Sequence, residues 1–135
     1  MRSTFNRTLL CLLAVFSVST GACGKSEAEA TKSVALNSAD AATRRAERVW
    51  VDNCQACHGE KGQGDGAAAA NLNPRPRRMS DPQWQKRTTD AQLRRVIVRG
   101  GAAVGLSKSM PATPTLASDR AALDVLVKKI RAFRR

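Results

Sequence analysis

The chain has 135 residues, enough for one domain with tails. Aromatic residues are only 4 % and tyrosine is absent, so a core built from side chains alone would be thin. The formal net charge is +12, from 23 basic and 11 acidic residues. Aromatic residues are not interleaved with the basic ones, which argues against a nucleic-acid partner. Such a charge suits steering toward an acidic protein face, or adhesion to anionic lipid.

Arg2 and Arg7 precede an apolar run over residues 9–18, and small residues follow up to Ala22. This is the order of a secretory signal peptide, expected over residues 1–22. The run is about half the roughly 20 residues a bilayer span needs, so a transmembrane helix is the weaker reading. Cys23 comes next, and Gly21-Ala22-Cys23 resembles the lipobox of bacterial lipoproteins. In that family the cysteine is acylated and becomes the mature N-terminus. Thr20 stands where the family carries Leu, Val or Ile. The resemblance favours a lipid anchor on Cys23 over ordinary cleavage and release. Both place the domain in the periplasm or at the outer side of the membrane. Loss of residues 1–22 removes two arginines and no acids, leaving +10. Residues 23–40 are mostly Ala, Ser, Thr, Glu and Lys and read as a flexible tether. The folded domain is expected over residues 41–135.

A first helix is expected over residues 41–53. Ala42, Ala46, Val49, Trp50 and Cys54 recur at spacings of three or four. The small Ala46, four before Trp50, lets another helix cross closely. At its end stands Cys54-Gln55-Ala56-Cys57-His58, a C-x-x-C-H motif. Two thiols on one short helical turn reach the two vinyl groups of a haem, and the next histidine reaches its iron. Rival uses of the pair fail. A thioredoxin-like motif lies in a βαβ pattern, and no strand signal occurs here. A zinc site needs about four N or S ligands, and His58 is the only histidine. A simple disulfide gives His58 no role. One covalently bound haem c uses all three residues, and supplies the large apolar plate that the core lacks.

Residues 59–66 are Gly-rich but lack the Gly-Lys-Ser/Thr ending and preceding strand of a phosphate loop. Their glycines are expected to turn the backbone tightly beside the haem edge. Asn73-Pro74-Arg75-Pro76 is a stiff, extended segment. Ser80-Asp81-Pro82-Gln83-Trp84 is a turn leading into a short helical piece. Thr89 with Gln92 forms a capping box for a helix over Asp90–Arg99, which Gly100-Gly101 stop. A long loop over residues 102–117 holds Met110 and Pro111. Ser118 or Asp119 caps a last helix to about Phe133, burying Leu123, Leu126, Val127 and Ile130. The fold class is all-α, with three main helices and long loops. With one histidine, bis-His ligation within the chain is impossible. The sixth iron ligand is then Met79 or Met110. Met110, in its Gly/Pro-bounded loop, is favoured.

Together, Ala46-x-x-x-Trp50-x-x-x-Cys54-Gln-Ala-Cys57-His58, Asn73-Pro74-Arg-Pro, Gly100-Gly101, Met110-Pro111 and a terminal helix resemble class I cytochrome c. The likeness is to the small bacterial monohaem cytochromes and covers residues 41–133. It implies the cytochrome c fold wrapped around one haem. It implies a crossing of the terminal helices at a Gly-aromatic contact. Ala46 holds the Gly position here and Lys129 the aromatic one, with Phe133 a turn later. The crossing is therefore looser, or uses the Lys129 stem. The resemblance further implies that the Pro74 carbonyl accepts a hydrogen bond from His58 Nδ1–H, and that Trp84 and a nearby arginine lie by the haem propionates. It implies a one-electron carrier and not an enzyme, with His58 and Met110 as axial ligands. Its expected partners are redox proteins with acidic docking faces, such as membrane oxidoreductases. A haem-based sensor, or a small haem subunit of a larger oxidoreductase complex, is the alternative.

Overall fold

The computed structural model describes residues 24–134, so the leader over 1–22 and Cys23 lie outside the described residues. Helix α1 spans Gly24–Val49. The segment read as a flexible tether is therefore helical from Gly24 onward. Its Ala, Glu, Lys and Leu content is that of a good helix former, and no proline interrupts it. Residues 28–40 are exposed throughout, Val34 and Leu36 included, so this half of α1 adds nothing to the core. Burial begins at Ala42.

After Val49 the helix widens. Trp50–Cys54 form a π-helical turn in which the Gln55 N–H reaches back to the Trp50 carbonyl. The regular helix expected over 41–53 thus gains one extra residue in its last turn. Such bulges are common at functional sites. This one lets Trp50 enter the core while Cys54 turns toward a cleft. A single turn, α2 over Gln55–His58, ends at Gly59. Then come a 3-10 turn at Ala69–Asn71, α3 at Pro82–Arg87 and α4 at Asp90–Arg99. Two more 3-10 turns, Ala102–Val104 and Pro114–Ala117, lead to α5 at Arg120–Ala132. No strand occurs among the described residues. The architecture is the expected all-α one, with α1, α4 and α5 as main helices.

Local signals account for the helix ends. The Gln92 N–H donates to Thr89 Oγ1 at 3.2 Å, and the Thr89 N–H donates to Gln92 Oε1 at 2.8 Å, completing the capping box. Asp81 caps α3 by accepting from the Gln83 and Trp84 N–H groups, with Pro82 in the first helical position. Asp119 caps α5 through the Ala122 N–H at 3.1 Å and also accepts from the Arg45 guanidinium, tying α1 to the start of α5.

Helix α1 packs chiefly on α5. Ala46 has no exposed surface at this crossing. Lys129 holds its ammonium 5.6 Å from the Trp50 ring centroid and 2.8 Å from a Glu47 carboxylate oxygen. Phe133 brings its ring to 5.1 Å from that of Trp50, tilted by 47°. The crossing therefore uses the Lys129 stem and moves the aromatic contact one turn on. The core beneath it joins Trp50 and Met79 to Leu93 and Ile97 of α4, and to Leu123, Leu126, Val127 and Ile130 of α5. Gln85 is the buried polar exception. Its Nε2 donates to the Met79 and Ile130 carbonyls at 2.8 and 2.7 Å, and its Oε1 accepts from Arg131 at 2.8 Å. That amide is satisfied on both sides, which offsets the cost of burying it.

Candidate functional site

The short helix α2 would be a weak platform alone, because four carbonyls at its end lack partners within one turn. The Gly-rich loop supplies them. The Gln55 carbonyl accepts from the Gly59 N–H at 2.8 Å, Ala56 from Ala68 at 2.8 Å, Cys57 from Gly66 at 3.2 Å and His58 from Gly64 at 2.9 Å. The loop expected beside the haem edge thus folds back over α2, and none of residues 59–66 lines the cleft described below. Its glycines are needed for close approach. Gly64 has φ +74°, and a Cβ there would sit 2.4 Å from the Pro76 carbonyl oxygen. Gly64→Ala is therefore expected to cost about 2 kcal/mol or more. Gly105, at φ +75° with nothing within 4 Å of its would-be Cβ, is the control: Gly105→Ala should cost only about 1–2 kcal/mol. Thermal melts of the two variants check this; equal losses would show that the Gly64 contact carries no weight.

On its other side α2 faces an open-sided cleft enclosing about 940 Å³, solvent at its mouth included. Cys54, Cys57 and His58 line one side of it, with Leu72, Pro74, Arg75, Pro76 and Arg77 beside them. Ile97 of α4 and the loop residues Leu106, Met110, Pro111 and Thr113 line the rest. The structure thus brings together Cys54, Cys57, His58, Met110 and Pro74. Met79 is elsewhere, 6 % exposed in the core, where it fills space.

The Met110 loop is held by backbone bonds. The Gly101 N–H donates to the Met110 carbonyl at 3.0 Å, the Leu106 N–H to Gly101 at 2.8 Å, and the Met110 N–H to Ser107 at 3.2 Å. Gly101 leaves no room for a side chain, since a Cβ would meet the Ser107 oxygen at 2.1 Å. The glycine pair read as a helix stop is thus also the seat of the methionine loop.

His58 is buried, and its Nδ1 lies 3.4 Å from the Arg77 carbonyl oxygen. A carbonyl only accepts, so the proton sits on Nδ1 and Nε2 keeps its lone pair. This corrects the expected partner: the carbonyl is that of Arg77, not Pro74, although Pro74 lines the cleft. Burial holds His58 below the usual histidine range, opposed by that hydrogen bond, so the ring stays neutral. Burial pushes the Cys54 thiol up to about 11, with a smaller contribution from Cys57. No disulfide joins Cys54 and Cys57. Trp84 does not line the cleft. It packs partly buried against the core, with the Arg77 guanidinium 5.6 Å from its ring centroid. The arginines at the cleft are Arg75 and Arg77.

Residues 41–127 match the family model for cytochrome c oxidase, cbb3-type, subunit III. The chain belongs to this family of c-type cytochromes. It has no significant match among curated proteins or solved structures. Membership implies covalently bound haem c with its iron, and a haem-based part in electron transport. The cleft of this cytochrome fits that group on its own chemistry. It offers two thiols, one neutral imidazole and one thioether, set among apolar walls from Leu72, Pro74, Ile97, Leu106 and Pro111, with one side open. Sequence reasoning missed Arg77 as the histidine's partner. No residue type marks a backbone acceptor, so only the path of the chain reveals it.

Proposed function

We propose that this cytochrome is an exported one-electron carrier, with His58 and Met110 as the axial ligands of haem c. One observation carries the reading: the only histidine and one of two candidate methionines share a cleft with both motif cysteines. Histidine nitrogen from His58 and thioether sulfur from Met110 would hold the iron between them, and such a ligand pair would suit haem c to exchange one electron between Fe(III) and Fe(II). The chain's own residues do the rest. Cys54 and Cys57 fix the cofactor covalently. The Arg77 carbonyl fixes the His58 ring and its tautomer. Arg75, Arg77 and the exposed Lys108 give positive charge near the mouth, where Leu106 is also exposed. That combination suits transient docking of an acidic partner. The leader pattern over 1–22 supports export, and Cys23 supports a lipid anchor. Mass spectrometry of the mature N-terminus tests the anchor, and an unmodified terminus removes it.

The electron-carrier reading expects reversible one-electron potentiometry, with no carbon monoxide binding to the reduced protein at neutral pH. Carbon monoxide binding would instead support a sensor. The description of the family, an oxidase subunit, favours a second reading, a haem subunit within a larger oxidoreductase. Stoichiometric co-purification of a membrane oxidoreductase with the tagged full chain would decide for it. Recovery of the cytochrome alone would decide for a free carrier.

A further inference from the structure

Trp84 and Asp81 lie outside the cleft, and the reading above gives them nothing to do. Both bear on Arg77. Asp81 forms an ion pair with the Arg77 guanidinium, and the Trp84 ring lies under it at 5.6 Å. Asp81 is itself fixed, because its Oδ1 caps α3 through the Gln83 N–H at 2.8 Å and the Trp84 N–H at 3.2 Å. Helix α3 is in turn anchored at Gln85, which binds the Met79 and Ile130 carbonyls. The Met79 N–H donates to the Gly62 carbonyl at 2.7 Å. The Arg77 peptide is therefore held through its side chain by α3 and through Met79 by the Gly-rich loop. Its carbonyl is the one that takes the His58 Nδ1–H.

We propose that Trp84 and Asp81 are positioning residues for the iron's histidine: by clamping the Arg77 side chain they set the bond between its carbonyl and His58 Nδ1. A cation over an indole face and an ion pair are each modest when partly exposed. They act on one residue, however, and a small rotation of that peptide changes a 3.4 Å contact appreciably. A carbonyl that holds the Nδ1 proton makes the imidazole a stronger donor, and a stronger donor favours Fe(III). Loosening the clamp should thus raise the reduction potential. Loss of the Arg77 charge alone would lower it, because a nearby cation disfavours Fe(III). The two effects have opposite sign.

The inference rests on His58 as an iron ligand, which the wild-type low-spin spectrum tests independently. In holo-protein, Trp84→Leu is expected to speed hydrogen exchange of the His58 Nδ1–H several-fold in the reduced state, followed by NMR, and to raise the midpoint potential. Trp84→Phe, which keeps a ring under Arg77, should restore most of both. Arg77→Leu keeps the carbonyl but loses the clamp, and is expected to speed the same exchange; it is the second variant should Trp84→Leu not fold. Folded variants with a normal spectrum, wild-type Nδ1–H exchange and an unchanged or lowered potential would overturn the proposal. An equal loss in Trp84→Phe and Trp84→Leu would also overturn it, because general packing would then be the cause.

Discussion

Met110→Ala is expected to abolish the low-spin His/Met spectrum of the oxidised protein, including the long-wavelength charge-transfer band that reports sulfur ligation. The substitution is local by construction of the loop. The Met110 backbone is fixed by its bonds to Gly101 and Ser107, neither of which involves the side chain. Truncation therefore empties one wall of the cleft without releasing the loop that carries it. The iron is then left with His58 and an open position, so the reduced variant should bind carbon monoxide and its midpoint potential should fall, because neutral thioether sulfur favours Fe(II). Met110→Leu separates ligation from filling, since it keeps the volume and drops the sulfur; it should lose the band as completely as alanine. Met79→Leu is the reverse control. Met79 sits in the core among apolar side chains, so this volume-conserving change should cost under about 1.5 kcal/mol and leave the spectrum intact. Persistence of the sulfur band in Met110→Ala would transfer the ligand role away from Met110.

What the sequence made legible was local. The C-x-x-C-H motif, the Thr89–Gln92 box, the cap at Ser118 or Asp119 and the Gly100 stop are each written within a few residues, and the structure selects Asp119 for the cap. Met110 could be separated from Met79 by its Gly/Pro-bounded loop, and the structure places only Met110 at the cleft. Long-range features were less legible. Whether Pro74 or Arg77 presents its carbonyl to His58 depends on how the segment after Pro76 lies against Gly62 and Gly64, a match between two loops that no pattern encodes. Trp84 was expected at the haem propionates only on the likeness to class I cytochrome c, not on any local signal. Its ring is drawn instead to Arg77, whose guanidinium is already paired with Asp81, the cap of the short helix that carries Trp84. The π-helical turn at Trp50–Cys54 escaped for another reason. A spacing of four fits either winding, and only the need to aim Trp50 and Cys54 at different neighbours selects the wider one.

Cys54→Ser with Cys57→Ser is expected to convert a permanent cofactor into a dilutable one. In the wild type two thioethers make the contact between haem and cleft intramolecular, so occupancy is independent of protein concentration. Without them His58 and Met110 alone would hold the group. Haem should then be lost on dilution and extracted completely by acidified organic solvent, whereas the wild type should retain it after denaturation. Each single variant should keep one linkage and resist extraction. The two cysteines are not equivalent in stability. Cys54 packs against the core cluster that holds Trp50, so a serine hydroxyl there would be buried at greater cost than at Cys57. Single-variant melts should therefore place Cys54→Ser below Cys57→Ser by about 1–2 kcal/mol. The stripped double variant should fall further. Its apolar walls at Leu72, Ile97 and Leu106 would then face water, and a ligand bound a thousandfold above its dissociation constant is worth about 4 kcal/mol. A double variant that retained haem through dilution and melted with the wild type would show that the axial ligands and the cleft suffice, and that the thioethers serve delivery of the cofactor more than its retention.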